Sequence, residues 1–172
     1  YYPMNYTLKP FVTYCKMKKL GYKVDTLHCH FGQAGIIGSF LKNNDLCKKL
    51  VVSFYGGDLT QYVASYGDKV YDELFRTSDV LVPCTKFLED IMIRLGANPK
   101  KMEMMRLPKD SKFFKPGSKK KKRDKIVLLT VARLTREKGI HNAIKAMSIL
   151  KKKHKNLKYN IIGDGKYLPG LK

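Results

Sequence analysis

The sequence predicts an α/β fold built on mostly parallel sheets, and three observations carry that reading. Short apolar runs alternate with helical segments of about ten residues, the pattern of βαβ units. The runs at 50–54 and 126–131 are apolar nearly throughout rather than at alternate positions, as strands covered on both faces are. Between them, Pro116-Gly117-Ser118 and the basic run 119–123 have no hydrophobic period and read as an exposed, solvated linker. The chain therefore divides into a first parallel-sheet domain at 1–115, a basic linker at 116–125, and the opening of a second such domain at 126–172.

The elements follow in order. Residues 11–20 suit an amphipathic helix stopped by Gly21, and 24–29 a short strand. A helix is expected over 33–42, then the strand 50–54, broken by Gly56-Gly57. Residues 69–75 read as a helix with Asp68 as its N-cap, and 79–82 as a strand. Thr85 can cap a helix that ends at Gly96, with Pro99 beyond it. Another short strand is expected at 102–107. After the linker, the buried strand 126–131 leads to a helix over 139–151. Its apolar positions Ile140, Ala143, Ile144, Met147 and Leu150 share one face. The strand 159–162 ends in the turn Gly163-Asp164-Gly165.

Composition narrows the class. The chain has 172 residues, 44% hydrophobic and 28% charged, which fits a soluble globular protein and excludes collagen-like, mucin-like and wholly disordered ones. No apolar run approaches the roughly 20 residues that span a bilayer. The opening Tyr1-Tyr2-Pro3-Met4 lacks the basic and apolar regions of a signal peptide. Both ends read as cut, so the chain is expected to be a fragment.

The net charge of +21 is uneven: residues 1–115 carry net +7 and residues 116–172 net +14. Such a field attracts nucleic acid, acidic membrane surfaces or phosphorylated ligands. The basic residues are 29 Lys against 6 Arg, whereas base-reading and bidentate phosphate contacts favour Arg. A basic nucleic-acid-binding module is the alternative function, but no aromatic–basic platform, helix-turn-helix or zinc pattern supports it, and no nucleic acid is expected as partner. Contact with an anionic membrane is compatible with the charge. No segment is amphipathic enough to stand out as an interfacial anchor. Cys15, Cys29, Cys47 and Cys84 form no C-x-x-C pair and no zinc spacing, and read as reduced thiols of a cytosolic protein.

In an open α/β sheet, ligands bind beyond the carboxyl ends of the strands, and three loops there are informative. In D-T-L-H-C-H-F-G, alternation places His28 and His30 on one face, and Gly32 allows close approach; the histidines serve either a site or packing, and metal ligation lacks a third ligand. In F-Y-G-G-D-L-T, two glycines free the backbone to approach a ligand, and Asp58 either accepts from sugar hydroxyls or follows a simple Gly-Gly turn as an Asx cap on the next segment. In V-A-R-L-T-R-E-K-G, Arg133 and Lys138 flank a helix N-terminus, an arrangement that suits a diphosphate or is simply a solvated loop.

Together these segments resemble the family 4 glycosyltransferases, retaining nucleotide-sugar enzymes of the GT-B fold, a pair of Rossmann-like domains. D-T-L-H-C-H-F-G is similar to the family's strand ending in His-x-His, and V-V-S-F-Y-G-G-D-L-T to the next strand and its Gly-x-Asp loop. S-D-V-L-V-P-C-T-K-F-L, L-G-A-N-P-K-K-M and D-S-K-F-F-K-P resemble the path to the interdomain linker. V-A-R-L-T-R-E-K-G, A-I-K-A-M and I-I-G-D-G resemble the opening of the donor domain. The likeness covers roughly 24–172. The H-F-G and F-Y-G-x-D wording is similar to enzymes of lipopolysaccharide or exopolysaccharide biosynthesis.

The resemblance implies a hexosyltransferase-type enzyme that moves a sugar from a nucleotide diphosphate to a glycan or lipid-linked acceptor with retention. It makes 1–115 part of the acceptor-side domain and 126–172 the first part of the donor domain. Arg133 and Lys138 would be the catalytic pair, holding the donor diphosphate and stabilising the leaving charge. Gly163, Asp164 and Gly165 would lie near the nucleotide, and His30, Tyr55, Gly56 and Asp58 in the acceptor cleft. No metal or cofactor is implied, since the Arg/Lys pair does a metal's electrostatic task. The expected place is the cytoplasm, peripherally at the inner membrane surface.

Three departures qualify this. Tyr55 stands where many members have His, so an imidazole there is absent. Leu107-Pro108-Lys109-Asp110 replaces a Gly-hydrophobic-Asp turn, and Pro cannot take φ > 0. The family's Gly-rich first loop and its late pair of glutamates, eight positions apart, are missing from these residues. The chain alone is therefore expected to be inactive, with a half-sheet prone to aggregate.

Overall fold

The structure is a computed structural model that describes residues 4–115, 117 and 125–171, with side chains from residue 8 onward. Most of the expected linker 116–125, including the basic run 119–123, lies outside the described residues. The chain divides into two compact units, Tyr1–Asp110 and Ser111–Lys172, each an α/β unit with its own parallel sheet.

In the first unit, helix α1 (Met4–Lys19) precedes strand β1 (Val24–His30), helix α2 (Gly32–Asn43) and strand β2 (Cys47–Phe54). Helix α3 (Gln61–Tyr66), a 3-10 turn (Asp68–Tyr71) and helix α4 (Asp72–Thr77) lead to strand β3 (Val80–Pro83) and helix α5 (Lys86–Arg94). The sheet order is β1-β2-β3, all parallel, with His30 opposite Ser53 and Phe54 opposite Pro83.

Central position buries β2: Leu50, Val52 and Phe54 have no exposed surface, and Tyr71, Leu74, Leu81 and Met92 complete the core around them. Helix α2 lies close on this sheet because it presents glycines. A Cβ at Gly35 would meet Val52 at 2.7 Å, and one at Gly38 would meet Cys29 and Leu50 at 2.7 Å. Lysines also work as staples. Lys101 Nζ donates to the carbonyls of Arg76 and Ser78 at 2.8 Å, answering orphan acceptors at the end of α4. Lys42 Nζ donates to Thr77 O at 2.9 Å and pairs with Asp79.

Several local expectations need correction. The first helix begins at Met4, not at 11, because it continues past Pro10, whose ring is buried. It ends as expected at Gly21, where the amides of Gly21 and Tyr22 donate back to Lys18 O and Met17 O. The helix expected at 69–75 is a 3-10 turn followed by α4, and Asp68 is not its N-cap; the turn follows Gly67, at φ +90°. Thr85 does cap α5, accepting from Leu88 N at 3.3 Å. Residues 102–107 form no strand. They make one bridge, Leu81 to Met102, with Glu103 N donating to Leu81 O and Met105 N to Pro83 O, because β3 offers only four residues to pair with.

In the second unit, strand β4 (Ile126–Val131) pairs in parallel with strand β5 (Leu157–Ile162) across helix α6 (Ile140–Lys153). A 3-10 turn (Arg136–Lys138) precedes α6, so Lys138 lies in that turn rather than in the helix. Leu134 and Ile140 are buried. The expectation that β4 is a buried strand fails: Ile126 is 53% exposed, Leu129 59% and Val131 69%. A parallel sheet buries a strand only with layers on both faces, and the described unit supplies two strands and one α-helix.

Candidate functional site

Each unit gathers its notable side chains at the carboxyl end of its strands. In the first unit, His28 and His30 do share a face, with ring centroids 4.5 Å apart. His28 Nε2 lies 2.8 Å from Ser53 Oγ, and His30 Nδ1 lies 2.5 Å from Tyr55 OH. Phe31 packs on Tyr55 at 4.9 Å between centroids. Its backbone sits at φ +71°, an unusual conformation for a bulky residue. Partial burial, and then the neighbouring His30, hold the His28 pKa below its ordinary 6.5. Among the described residues no three His, Cys, Asp or Glu side chains group to hold a metal.

Asp58 is 2% exposed, and its carboxylate is occupied by backbone. It accepts from Gly56 N at 2.7 Å, from Tyr55 N at 3.2 Å and from Gly32 N at 3.2 Å. This is not the expected Asx cap on the next segment, since the amides it answers precede Asp58 and none follows it; instead one carboxylate ties the β2 loop to the start of α2. Gly56, at φ +129°, supplies the turn. A Cβ at Gly32 would meet the Tyr71 ring at 2.5 Å. Tyr71 OH donates in turn to Asp58 O at 2.9 Å.

Beside this latch lies an open cleft of about 390 Å³, lined by Phe31, Gln33, Gly57, Asp58, Gln61, Tyr62 and Ser65. An aromatic face beside amides and a hydroxyl is suited to a polyhydroxylated ligand. Sequence reasoning missed Gln61 and Ser65 because it left α3 out, and Phe31 and Gln33 because only the fold brings the start of α2 against α3. The signal was present, since Leu59, Tyr62, Val63 and Tyr66 follow a helical period.

In the second unit, the loops after β4 and β5 cross. Leu134 N donates to Asp164 O at 2.8 Å, and Tyr167 N donates to Leu134 O at 3.0 Å. This crossing requires glycine: a Cβ at Gly163 would collide with Ala132 O, and one at Gly165 with Leu134 O. Gly163, Asp164 and Gly165 thus lie against the loop that carries Arg133 and Lys138. Asp164 Oδ1 accepts from Gly165 N at 2.7 Å.

Arg133 and Lys138 are both exposed, and neither makes an ion pair among the described residues. Both charges reach Glu137. Its carboxyl is held below the ordinary range by its own backbone N–H first, then by Thr135, and also by Arg133 and Lys138. Gly139, left-handed at φ +63°, turns the chain into α6, whose N-terminus has no side-chain cap. His141 Nδ1, in the first turn, is buried and has no hydrogen-bond partner among the described residues. Two cations, glycine backbone and a helix N-terminus without a side-chain cap are groups whose chemistry suits an anion of more than one charge.

Residues 111–172 match the family model described as Glycosyl transferases group 1. The chain is 28% identical over 153 residues to a protein of Escherichia coli strain K12 named as the colanic acid biosynthesis glycosyltransferase WcaL. That match covers 88% of this chain and 38% of the relative. It is 29% identical over 149 residues to the amylovoran biosynthesis glycosyltransferase AmsK of Erwinia amylovora, covering 86% of this chain and 37% of the relative. The chain thus spans well under half the length of these relatives. Residues 111–172 are thus similar to part of the family described as Glycosyl transferases group 1, and most of the chain's length is similar to proteins named as glycosyltransferases of polysaccharide biosynthesis.

Proposed function

We propose that this chain is part of an enzyme that transfers a sugar from a nucleotide-diphosphate donor to a glycan or lipid-linked acceptor, with retention of configuration. The observation that supports the proposal is the crossing of the 131–139 and 163–165 loops, in the stretch that carries Arg133 and Lys138 and leads into the uncapped start of α6. In the transfer, the bond from the anomeric carbon to the diphosphate breaks and a bond to an acceptor hydroxyl forms. The nucleoside diphosphate leaves with the electron pair of the broken bond, and the acceptor hydroxyl's proton passes to the leaving phosphate oxygen. Arg133 as a fork donor and Lys138 as a point charge stabilise that leaving charge, and no metal is assigned to the task. The acceptor is assigned to the cleft lined by Phe31, Gln33, Gln61 and Ser65, with His30, Tyr55 and Gly56 at its shoulder and Asp58 holding the loop. The relatives' names, colanic acid and amylovoran biosynthesis, favour a polysaccharide product. A nucleotide-sugar substrate and four free cysteines favour a cytoplasmic setting.

Binding of inorganic pyrophosphate, UDP and GDP to the full chain, followed by calorimetry, tests the donor assignment. The double variant Arg133→Ala/Lys138→Ala is expected to weaken all three by about ten-fold or more, as loss of charge-assisted bonds does. Equal binding by the variant, or none by the unaltered chain, would sink the assignment.

A further inference from the structure

We propose that the cleft beside α3 takes an uncharged sugar residue, the end of a neutral glycan, and excludes an anionic one. The proposal rests on the reading of this cleft as the acceptor's place, and it names the chemical class of the acceptor's end. Charge decides the class. The chain carries 35 Lys and Arg among 172 residues, yet the stretches 24–41 and 50–68, which hold every residue of the lining, contain none. Among the described residues that line the cleft, Asp58 alone is charged. Three backbone amides donate to its carboxylate, and they spread its charge without neutralising it. A carboxylate or phosphate entering the cleft would meet Asp58 with no lysine or arginine on the lining to answer it, and such like-charge pairs are costly.

The lining also matches a sugar's hydroxyls and its apolar face. Gln33 and Gln61 each carry donors and an acceptor, as a sugar hydroxyl does, and can pair with one in either direction. Ser65 Oγ donates to Gln61 O at 2.9 Å, which leaves its lone pairs for a hydroxyl donor. Phe31, half-exposed on the lining, offers an aromatic surface that suits the C–H side of a pyranose. Its backbone sits at φ +71° and ψ 144°, close to a region nearly reserved to glycine. Two hydrogen bonds hold it there: Phe31 N donates to Ser53 O at 2.9 Å, and Gly35 N donates to Phe31 O at 3.1 Å. A bulky residue kept in such a conformation by its surroundings is the pattern of a ligand site. These groups recognise hydroxyls and apolar surface, and none of them recognises an anion.

The test is an NMR titration of the full chain at about 0.15 M salt, which screens the general pull of a +21 chain on anions. Methyl glucoside, methyl galactoside and methyl mannoside are each compared with the methyl uronide of the same sugar, which differs by one carboxylate. At least one neutral glycoside is expected to shift the Gly57 amide and the side-chain amides of Gln33 and Gln61 saturably. Its uronide is expected to bind about ten-fold more weakly or worse. Phe31→Ala is expected to lose about ten-fold of the neutral binding, as loss of an aromatic contact surface does. Gln61→Lys places a cation on the lining and is expected to bring the uronide level with its neutral partner, a change that loss of fold would not produce. Equal or tighter binding of the uronide by the unaltered chain overturns the proposal and leaves the cleft a sugar site. Undiminished neutral binding by Phe31→Ala overturns it too. If no glycoside shifts these amides, the proposal and the acceptor's placement fall together, while pyrophosphate binding at Arg133 and Lys138 still judges the donor assignment.

Discussion

Strands β2 and β4 look alike in sequence and end up in opposite environments. L-V-V-S-F and I-V-L-L-T-V are both nearly continuous apolar runs. Yet Leu50, Val52 and Phe54 are fully buried, whereas Leu129 and Val131 are more than half exposed. Strand β2 has a neighbour on each edge and α2 pressed on it through glycines; β4 has β5 on one edge. An apolar run therefore states a capacity for burial, and the number of layers supplied decides whether it is used.

The largest test of this contrast is a pair of truncations. Leu50→Ala should cost about 3–4 kcal/mol of stability, as a buried leucine that leaves a cavity does. Leu129→Ala should cost less than about 1 kcal/mol, as exposed substitutions do. Urea titration of both variants checks the difference, and equal losses would break the comparison.

The latch comes next. Asp58→Ala removes an acceptor from three amides in a buried loop and should cost about 3 kcal/mol. Asp164→Ala, whose carboxylate answers a single exposed amide, should cost less than about 1 kcal/mol by the same measurement.

Glycine substitution sharpens the packing part. Gly35→Ala drives a methyl into Val52 and Leu74 and should cost roughly 1–3 kcal/mol. Gly57→Ala meets nothing within 4 Å and should be close to neutral in thermal melting.

The smallest effect is that of pH. The folded His28 pKa lies below 6.5, so the unfolded chain takes up this proton first as pH falls. His28 therefore favours folding fully above pH 6.5, and that contribution drains away as pH falls from there through its folded value. Urea midpoints should drop slightly from about pH 7.5 to 5.5, a window in which carboxylates stay ionised, and His28→Gln should remove that part of the drop.

Much of the candidate site was legible before any fold was seen. His28 and His30 share a face because strand alternation has a period of two. Gly163 and Gly165 stand where two loops cross without room for a Cβ. Asp58 was legible as a residue and not as a role. A carboxylate after two glycines fits a sugar or an Asx turn equally, and only the position of Gly32 N, 26 residues away in sequence, settles where its lone pairs go.

By itself the sequence determined the order of the five strands (with a sixth, at 102–107, that does not form), the stop signals at Gly21 and Gly96, the cap at Thr85 and the placing of Arg133 and Lys138 after a strand. These depend on local periodicity, on φ > 0 at glycine and on side chains within a turn of their backbone partners. Tertiary structure alone decided which apolar run is buried and which residues line the cleft beside α3. Those outcomes depend on contacts between segments far apart in the chain, and no local pattern carries them.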